Sequence, residues 1–355
     1  MGSGTAAAQA VDKDVYVVGT IEPVNGVFAP ADMFDNPCGD RPTWRFTLQS
    51  SDVRLHVVPK AGGAAAGYDI YVFGTSRANM AHYGADDLAA ADGVWTAQFS
   101  GGAATAVLCG PAGSAALPPP VAVTEYSVAA PGGRLESVVG RTRDFQPISA
   151  IASDPVLWNA AKAVGKLTFF RGTRQYACSG FLVAKNLFMT NMHCVSTAEE
   201  CARAQVAFGY EDDPPNLRTK PEEQKCVAVR SFDSDLDFAL IELRNDPGDR
   251  WGWLKLSGTN PKSGDALVVV QHPAGEKKQV VIIDCHVDRL GMTGRNAHAA
   301  TDFSHSCDTL NGSSGSPVMT KSGEVVGLHH WGTTPDLNLN RAVEMTLIIP
   351  KIALN

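Results

Sequence analysis

Apolar residues in this chain come mostly in short runs between turn residues, and few recur at the three-to-four spacing of an amphipathic helix. Val15–Ile21, Trp44–Leu48, Val53–Val58, Tyr68–Phe73, Trp95–Phe99 and Ala104–Cys109 read as strands. Several of these alternate polar and apolar positions, as half-buried antiparallel strands do. Their spacing predicts a small β-sandwich or barrel over residues 1–114. Ala115-Ala116-Leu117-Pro118-Pro119-Pro120 then reads as a stiff, polyproline-like spacer within a linker at 115–134. One helical stretch follows, Asp154 to Ala163, with Asp154-Pro155 as its start signal. From Gly165 the strand pattern returns. Cys178–Val183 and Leu187–Met192 form two runs around a Lys185-Asn186 turn, and Asp235–Leu243 is an acidic segment entering an apolar strand. The prediction is a mainly β protein with a second domain over 135–355.

Composition narrows the class. At 355 residues the chain is long enough for about two domains. A net charge of −7, spread along the sequence, argues against a nucleic-acid partner, and no apolar run approaches the length of a membrane span. Lone His56 and His82 read as surface residues. Met1-Gly2-Ser3-Gly4 resembles a tag remnant, and Ala8-Gln9-Ala10 resembles either the small-residue end of a signal-cleavage site or Ala-rich low complexity. The eight cysteines show no metal-ligand spacing and allow 105 pairings. Cys38 and Cys109 lie near the ends of the first strand series and could staple it. Disulfides would imply a secreted or periplasmic protein; buried free thiols are the alternative.

The candidate chemistry centres on Cys307-Asp308-Thr309-Leu310-Asn311-Gly312-Ser313-Ser314-Gly315-Ser316-Pro317. Two glycines allow a sharp bend and a close approach by a ligand. Such a bend would push the Ser314 hydroxyl outward and aim the N–H groups of Gly312 and Ser314 at one point, as a tetrahedral oxyanion requires. A plain Gly/Ser surface loop is the competing reading. Upstream, Thr190-Asn191-Met192-His193-Cys194 offers an imidazole and Asp237-Phe238-Ala239-Leu240-Ile241 offers a carboxylate.

With these three segments, residues 135–355 resemble the trypsin-like, chymotrypsin-fold serine peptidases, and within them the bacterial glutamyl and lysyl endopeptidase branch. The segments match the T-A-A-H-C box (with Asn-Met in place of Ala-Ala), the aspartate box and the G-x-S-G-[GS]-P box, in the order His, Asp, Ser. The resemblance implies a double β-barrel and hydrolysis of protein or peptide substrates through an acyl-enzyme. It implies no cofactor, and a monomer is expected. Ser314 would be the nucleophile, His193 the base and Asp237 its orienting carboxylate, with Asp233 and Asp235 as alternatives for the last role. The oxyanion hole would be the N–H groups of Gly312 and Ser314. The resemblance also implies a Cys178–Cys194 bridge around the histidine, leaving Cys201–Cys226 and Cys285–Cys307 as the simplest remaining pairs.

Two departures bear on activation and specificity. Ser313 stands where trypsins carry the Asp that receives a new N-terminal ammonium, so the activation-like Val138-Val139-Gly140 has no partner there. The specificity wall, Ser-Trp-Gly in those enzymes, reads His329-His330-Trp331-Gly332. Neighbours on a strand face opposite ways, so the His-His pair predicts no metal site. Thr309 and His329 fall where glutamyl endopeptidases hold a substrate carboxylate, and Asp308 falls where trypsins bind Lys or Arg. Cleavage after Glu or Asp is the expectation, after Lys or Arg the alternative. A catalytically inert, protein-binding relative of the peptidases is the competing class.

Overall fold

The computed structural model describes residues 16–354 apart from 32–35, 51–52, 76, 78–79, 100–101, 114–117, 130–134, 138–143, 213–220, 296–299 and 333–339. Met1–Gly4, Ala8–Ala10, Ala115–Leu117 and Val138-Val139-Gly140 therefore lie outside the described residues. The chain divides into two compact units, Val17–Gly132 with Phe170–Gln175, and Gly133–Phe169 with Tyr176–Asn355.

The first unit is a sandwich. Strands Tyr16–Gly26, Val121–Ala129, Val53–Pro59 and Val94–Trp95 lie side by side on one face. Ala29–Pro30, Thr43–Leu48, Ala104–Cys109, Asp69–Phe73 and Ala81–Tyr83 form the other. Alternation explains the packing: Leu55, Val57 and Val123 of one sheet share a core with Trp44, Ile70 and Leu108 of the other. A Cys38–Cys109 disulfide closes one end. His56 stacks on Trp95 with 4.6 Å between ring centroids and faces Glu125 at 3.1 Å, while His82 stays half exposed beside Asp69.

Two expectations change here. Residues 121–129, read as part of a linker, form a central strand paired with both Tyr16–Gly26 and Val53–Pro59. The strand begins directly after Pro120, and Val121 and Val123, two apart, bury one face completely. Conversely, regular pairing at Trp95–Phe99 breaks after Trp95 and returns only as a bridge between Phe99 and Val53. The Thr96 carbonyl accepts from the buried Arg54 Nε at 2.7 Å, and its hydroxyl accepts the Leu55 N–H at 2.9 Å.

The second unit holds two antiparallel barrels. The first runs Val164–Arg171, Gln205–Phe208, Glu222–Asp233, Phe238–Leu243, Leu187–Thr190 and Arg174–Leu182, and closes back on Val164–Arg171. Five of these strands are almost wholly buried, Glu222–Asp233 being the polar and partly exposed one; Phe169, Phe181, Phe188, Phe208 and Phe238 are among the largest wholly buried side chains. The second barrel is built on Leu267–Gln271, Pro317–Thr320, Val325–Gly332, Asn340–Glu344 and Asp302–His305. Bridges Val287↔His305 and Ala266↔His286 close the circuit. This is the double barrel that the resemblance implies. The helix Pro155–Lys162 starts where its signal stands, the Asp154 carboxylate accepting the N–H groups of Val156 and Leu157 at 3.0 Å each. Cys178–Cys194, Cys201–Cys226 and Cys285–Cys307 are all disulfides. Among the described residues no helix is long and apolar enough to cross a membrane.

Candidate active site

The site is assembled from the first barrel's histidine turn and the second barrel's serine turn. Strand Leu187–Thr190 ends at Thr190, and Asn191-Met192-His193 turns out of it, tied back by the Cys178–Cys194 bridge. Asp237 lies in the tight turn before Phe238–Leu243, at φ +46°, a left-handed conformation that Asp accepts better than most residues. Asn191 Nδ2 and the Met192 N–H both donate to the Asp237 carbonyl, at 2.9 and 3.1 Å, and so hold that turn in place. The asparagine that departs from the family box thus has a local purpose.

The Asp237 carboxylate accepts the His193 N–H on Oδ1 at 3.0 Å and faces Nδ1 of the ring with Oδ2 at 2.7 Å, with both residues buried. Burial alone would raise the Asp237 carboxyl, but His193 and then His330 outweigh it and hold it far below the ordinary carboxylate range. Of the alternatives, Asp233 is occupied elsewhere: it accepts the N–H groups of Asp235 and Leu236 and pairs with Lys351.

One residue absent from the sequence reading anchors the serine turn. Ser179, beside Cys178, donates its N–H to the Ser314 carbonyl at 2.8 Å and its hydroxyl to the Gly312 carbonyl at 2.9 Å. The Ser179 hydroxyl accepts the His272 N–H at 2.8 Å, and its carbonyl accepts the Thr190 hydroxyl at 2.8 Å. Gly315, at φ +89°, lies so close that a Cβ there would meet the Ser179 carbonyl at 2.1 Å. Ser314 is buried, and its Oγ makes no hydrogen bond among the described residues.

The oxyanion geometry rests on a neighbouring loop. Ala274 donates its N–H to the Asn311 carbonyl at 2.6 Å. Because a peptide is planar and trans, this turns the Gly312 N–H to the opposite edge. Among the described residues neither the Gly312 nor the Ser314 N–H donates a hydrogen bond. His272 sits at the head of this loop with Nδ1 3.0 Å from the Glu276 carbonyl. Burial first, and Lys278 second, push its imidazole well below the usual value, so it is neutral.

The predicted pocket residues divide. The Thr309 hydroxyl donates to Asn340 Oδ1 at 2.8 Å, and His329 Nδ1 lies 3.3 Å from His305 Nε2, which gathers Thr309, Asn340, His305 and His329 in one polar cluster. Asp308 is buried, and its carboxylate accepts the Asp144 N–H at 2.9 Å. Trp331 and Gly332 are partly exposed, with the Arg341 guanidinium 5.4 Å over the indole. His330 does not line this pocket: Nδ1 faces Asp237 at 3.3 Å and Nε2 faces Asp302 at 2.8 Å. The register of this strand slips between His329 and Trp331, a bulge at His330, and the two rings meet different partners. Sequence reading also missed Arg295, whose Nη1 lies 3.2 Å from Asp237 Oδ2 and 2.5 Å from His193 Nδ1. Cys178, Cys194 and His193 place three potential metal-ligand atoms within 4.8 Å, but the sulfurs are joined in a disulfide and supply no thiolate.

Residues 178–328 match the family model of the trypsin-like peptidase domain. The chain is 28% identical over 196 residues to secreted RxLR effector protein 73 of Plasmopara viticola, covering 52% of this chain and 48% of the relative. It is 28% identical over 166 residues to exfoliative toxin A of Staphylococcus aureus, covering 44% and 56%. It thus spans about half the length of these curated relatives. Among solved structures it is similar to the active form of the Rv3671c protease from M. tuberculosis, with a TM-score of 0.48 and 19% identity over 64% of this chain and 93% of that one. The match to the trypsin-like peptidase model spans the stretch that carries His193, Asp237 and Ser314.

Proposed function

We propose that the protein is an exported serine endopeptidase in which Ser314 attacks the scissile carbonyl and His193 Nε2 takes its proton. The buried His193–Asp237 pair at 2.7 Å carries this reading: with Arg295 donating to Asp237 Oδ2 rather than to Nδ1, the carboxylate can hold the proton on Nδ1, leave Nε2 as base and stabilise the imidazolium that forms. The N–H groups of Gly312 and Ser314 receive the oxyanion. His193 then protonates the leaving amine, and water, activated by the same ring, releases the acid and restores Ser314. Four disulfides fit an oxidising compartment, as does the secreted relative.

For the residue before the cleaved bond, the same reading favours Glu, then Asp. His329 supplies an imidazole for a carboxylate beside Thr309, whose hydroxyl would have to turn from Asn340 to join it, while the backbone N–H of Asp144 already draws on the Asp308 carboxylate that a Lys or Arg side chain would need. An active-site serine reagent should label Ser314 and nothing in Ser314→Ala. In a mixed peptide digest, His329→Ala should lose Glu cleavage while Asp308→Asn leaves the preference unchanged. Lys/Arg cleavage that vanishes in Asp308→Asn would reverse the specificity, and absence of labelling would reject the enzyme.

Gly312 offers a separate check on the oxyanion hole. Its φ is +96°, and a Cβ there would meet the Gly275 nitrogen at 2.8 Å. Gly312→Ala must therefore shift the peptide, and kcat should fall by ~10²–10³, the loss expected for one oxyanion donor. KM for a short peptide should hardly move.

A further inference from the structure

Behind the Asp237 carboxylate the structure continues a chain of buried polar groups that the Ser-His-Asp reading does not use. His330 and Asp302 are both fully buried, on strands Val325–Gly332 and Asp302–His305 of the second barrel. His330 Nε2 lies 2.8 Å from Asp302 Oδ2, and Nδ1 lies 3.3 Å from Asp237 Oδ2, an ion-pair separation. The Thr301 hydroxyl donates to the other Asp302 oxygen at 2.8 Å. An imidazole with a carboxylate at each nitrogen has one arrangement without lone-pair repulsion: a proton on both nitrogens.

We propose that His330 and Asp302 are positioning residues for the catalytic pair, Asp302 keeping both ring nitrogens of His330 protonated so that the ring fixes Asp237 in its orientation toward His193. The inference rests on the peptidase reading for its consequence, but not for the state of the ring. Burial by itself would lower the His330 imidazole; the contacts to Asp237 and Asp302 outweigh burial and raise it above the usual value. The other charges around this chain belong to every neighbouring element. His193 of the first barrel meets Asp237, and so does Arg295, which precedes strand Asp302–His305. Arg341 and Glu344 of strand Asn340–Glu344 feel Asp302. His305 faces His329 and His330, and burial followed by those two rings holds it neutral. Without a charged His330, Asp237 would keep its ties to His193 and Arg295 but lose its contact with strand Val325–Gly332.

The effect on catalysis has a definite sign. Asp302→Asn keeps the size and one hydrogen bond but removes the charge that holds the second proton on His330. A positive charge then disappears beside Asp237, which makes protonation of the coupled His193–Asp237 pair easier. The acid limb of kcat/KM against pH should move up by about one unit, a tenfold loss at a fixed pH on that limb. KM should be unchanged, and Asp302→Glu should restore most of the profile. Loss of packing alone would not move the limb.

The decisive measurement is independent of activity. In ¹⁵N-histidine-labelled Ser314→Ala protein near pH 7, NMR should find both His330 nitrogens protonated, and only one in Ser314→Ala/Asp302→Asn. A neutral His330 ring in Ser314→Ala overturns the proposal, whether or not the Asp302 variant folds. So does an unmoved acid limb in a folded Asp302→Asn enzyme whose hydrolysis still depends on Ser314. If the wild type shows no Ser314-dependent hydrolysis, the peptidase reading fails instead, and the ring's protonation still decides this one.

Discussion

Ser314→Ala should lower peptide hydrolysis by at least ~10⁴-fold while the protein unfolds at nearly the wild-type temperature. The size follows from the way the triad acts as a unit: without the nucleophile, proton transfer to His193 has nothing to do, and only binding and the oxyanion donors remain. Stability should barely change, because Ser314 Oγ makes no hydrogen bond among the described residues and the turn is held through backbone carbonyls by Ser179. Single-turnover assays with a chromogenic ester and a peptide would measure the loss. Retained hydrolysis in this variant would remove Ser314 from the mechanism.

Asp237→Asn is expected to cost a similar amount, about 10⁴-fold in kcat, for a different reason. Asparagine tolerates the left-handed backbone at this position, so the turn should persist. Its amide, however, can present an N–H to His193 Nδ1 and drive the ring proton onto Nε2, where it blocks acceptance from Ser314. Stability carries a second signature. The folded protein holds Asp237 far below the ordinary carboxylate range, so its ionic contribution is fully present above about pH 4 and fades as the pH falls from there. The stability gap between wild type and Asp237→Asn should therefore be widest near neutrality and narrow in acid. A gap that widens on acidification would mean that the carboxylate is not held as the geometry indicates.

What the sequence reveals of this molecule is what lies close along the chain. Strand runs, the Asp154 cap, the histidine turn with its flanking cysteines and the serine turn with its glycines are local patterns, legible because backbone geometry demands particular residues at short spacings. Ser179, Arg295, Asp302 and the true place of His330 are not local. Arg295 meets His193 from 102 positions away, and Ser179 meets Gly312 from 133. Their residue types carry no spacing signal, and only barrel closure brings them to Asp237 and Ser314. The strand Val121–Ala129 is hidden in the sequence for another reason: three prolines and flanking alanines mask a Val-x-Val alternation that packing makes decisive.

Ser179 has a consequence for the chain while it is still folding. The serine turn belongs to the second barrel, yet its carbonyls are gripped by a residue of the first, beside the disulfide that restrains the histidine. A nascent chain with only one barrel closed would lack either the base or the grip on the nucleophile. Hydrolytic competence would then arise in a single late step, when the barrels dock, and an unfinished copy would be harmless to the cell that makes it.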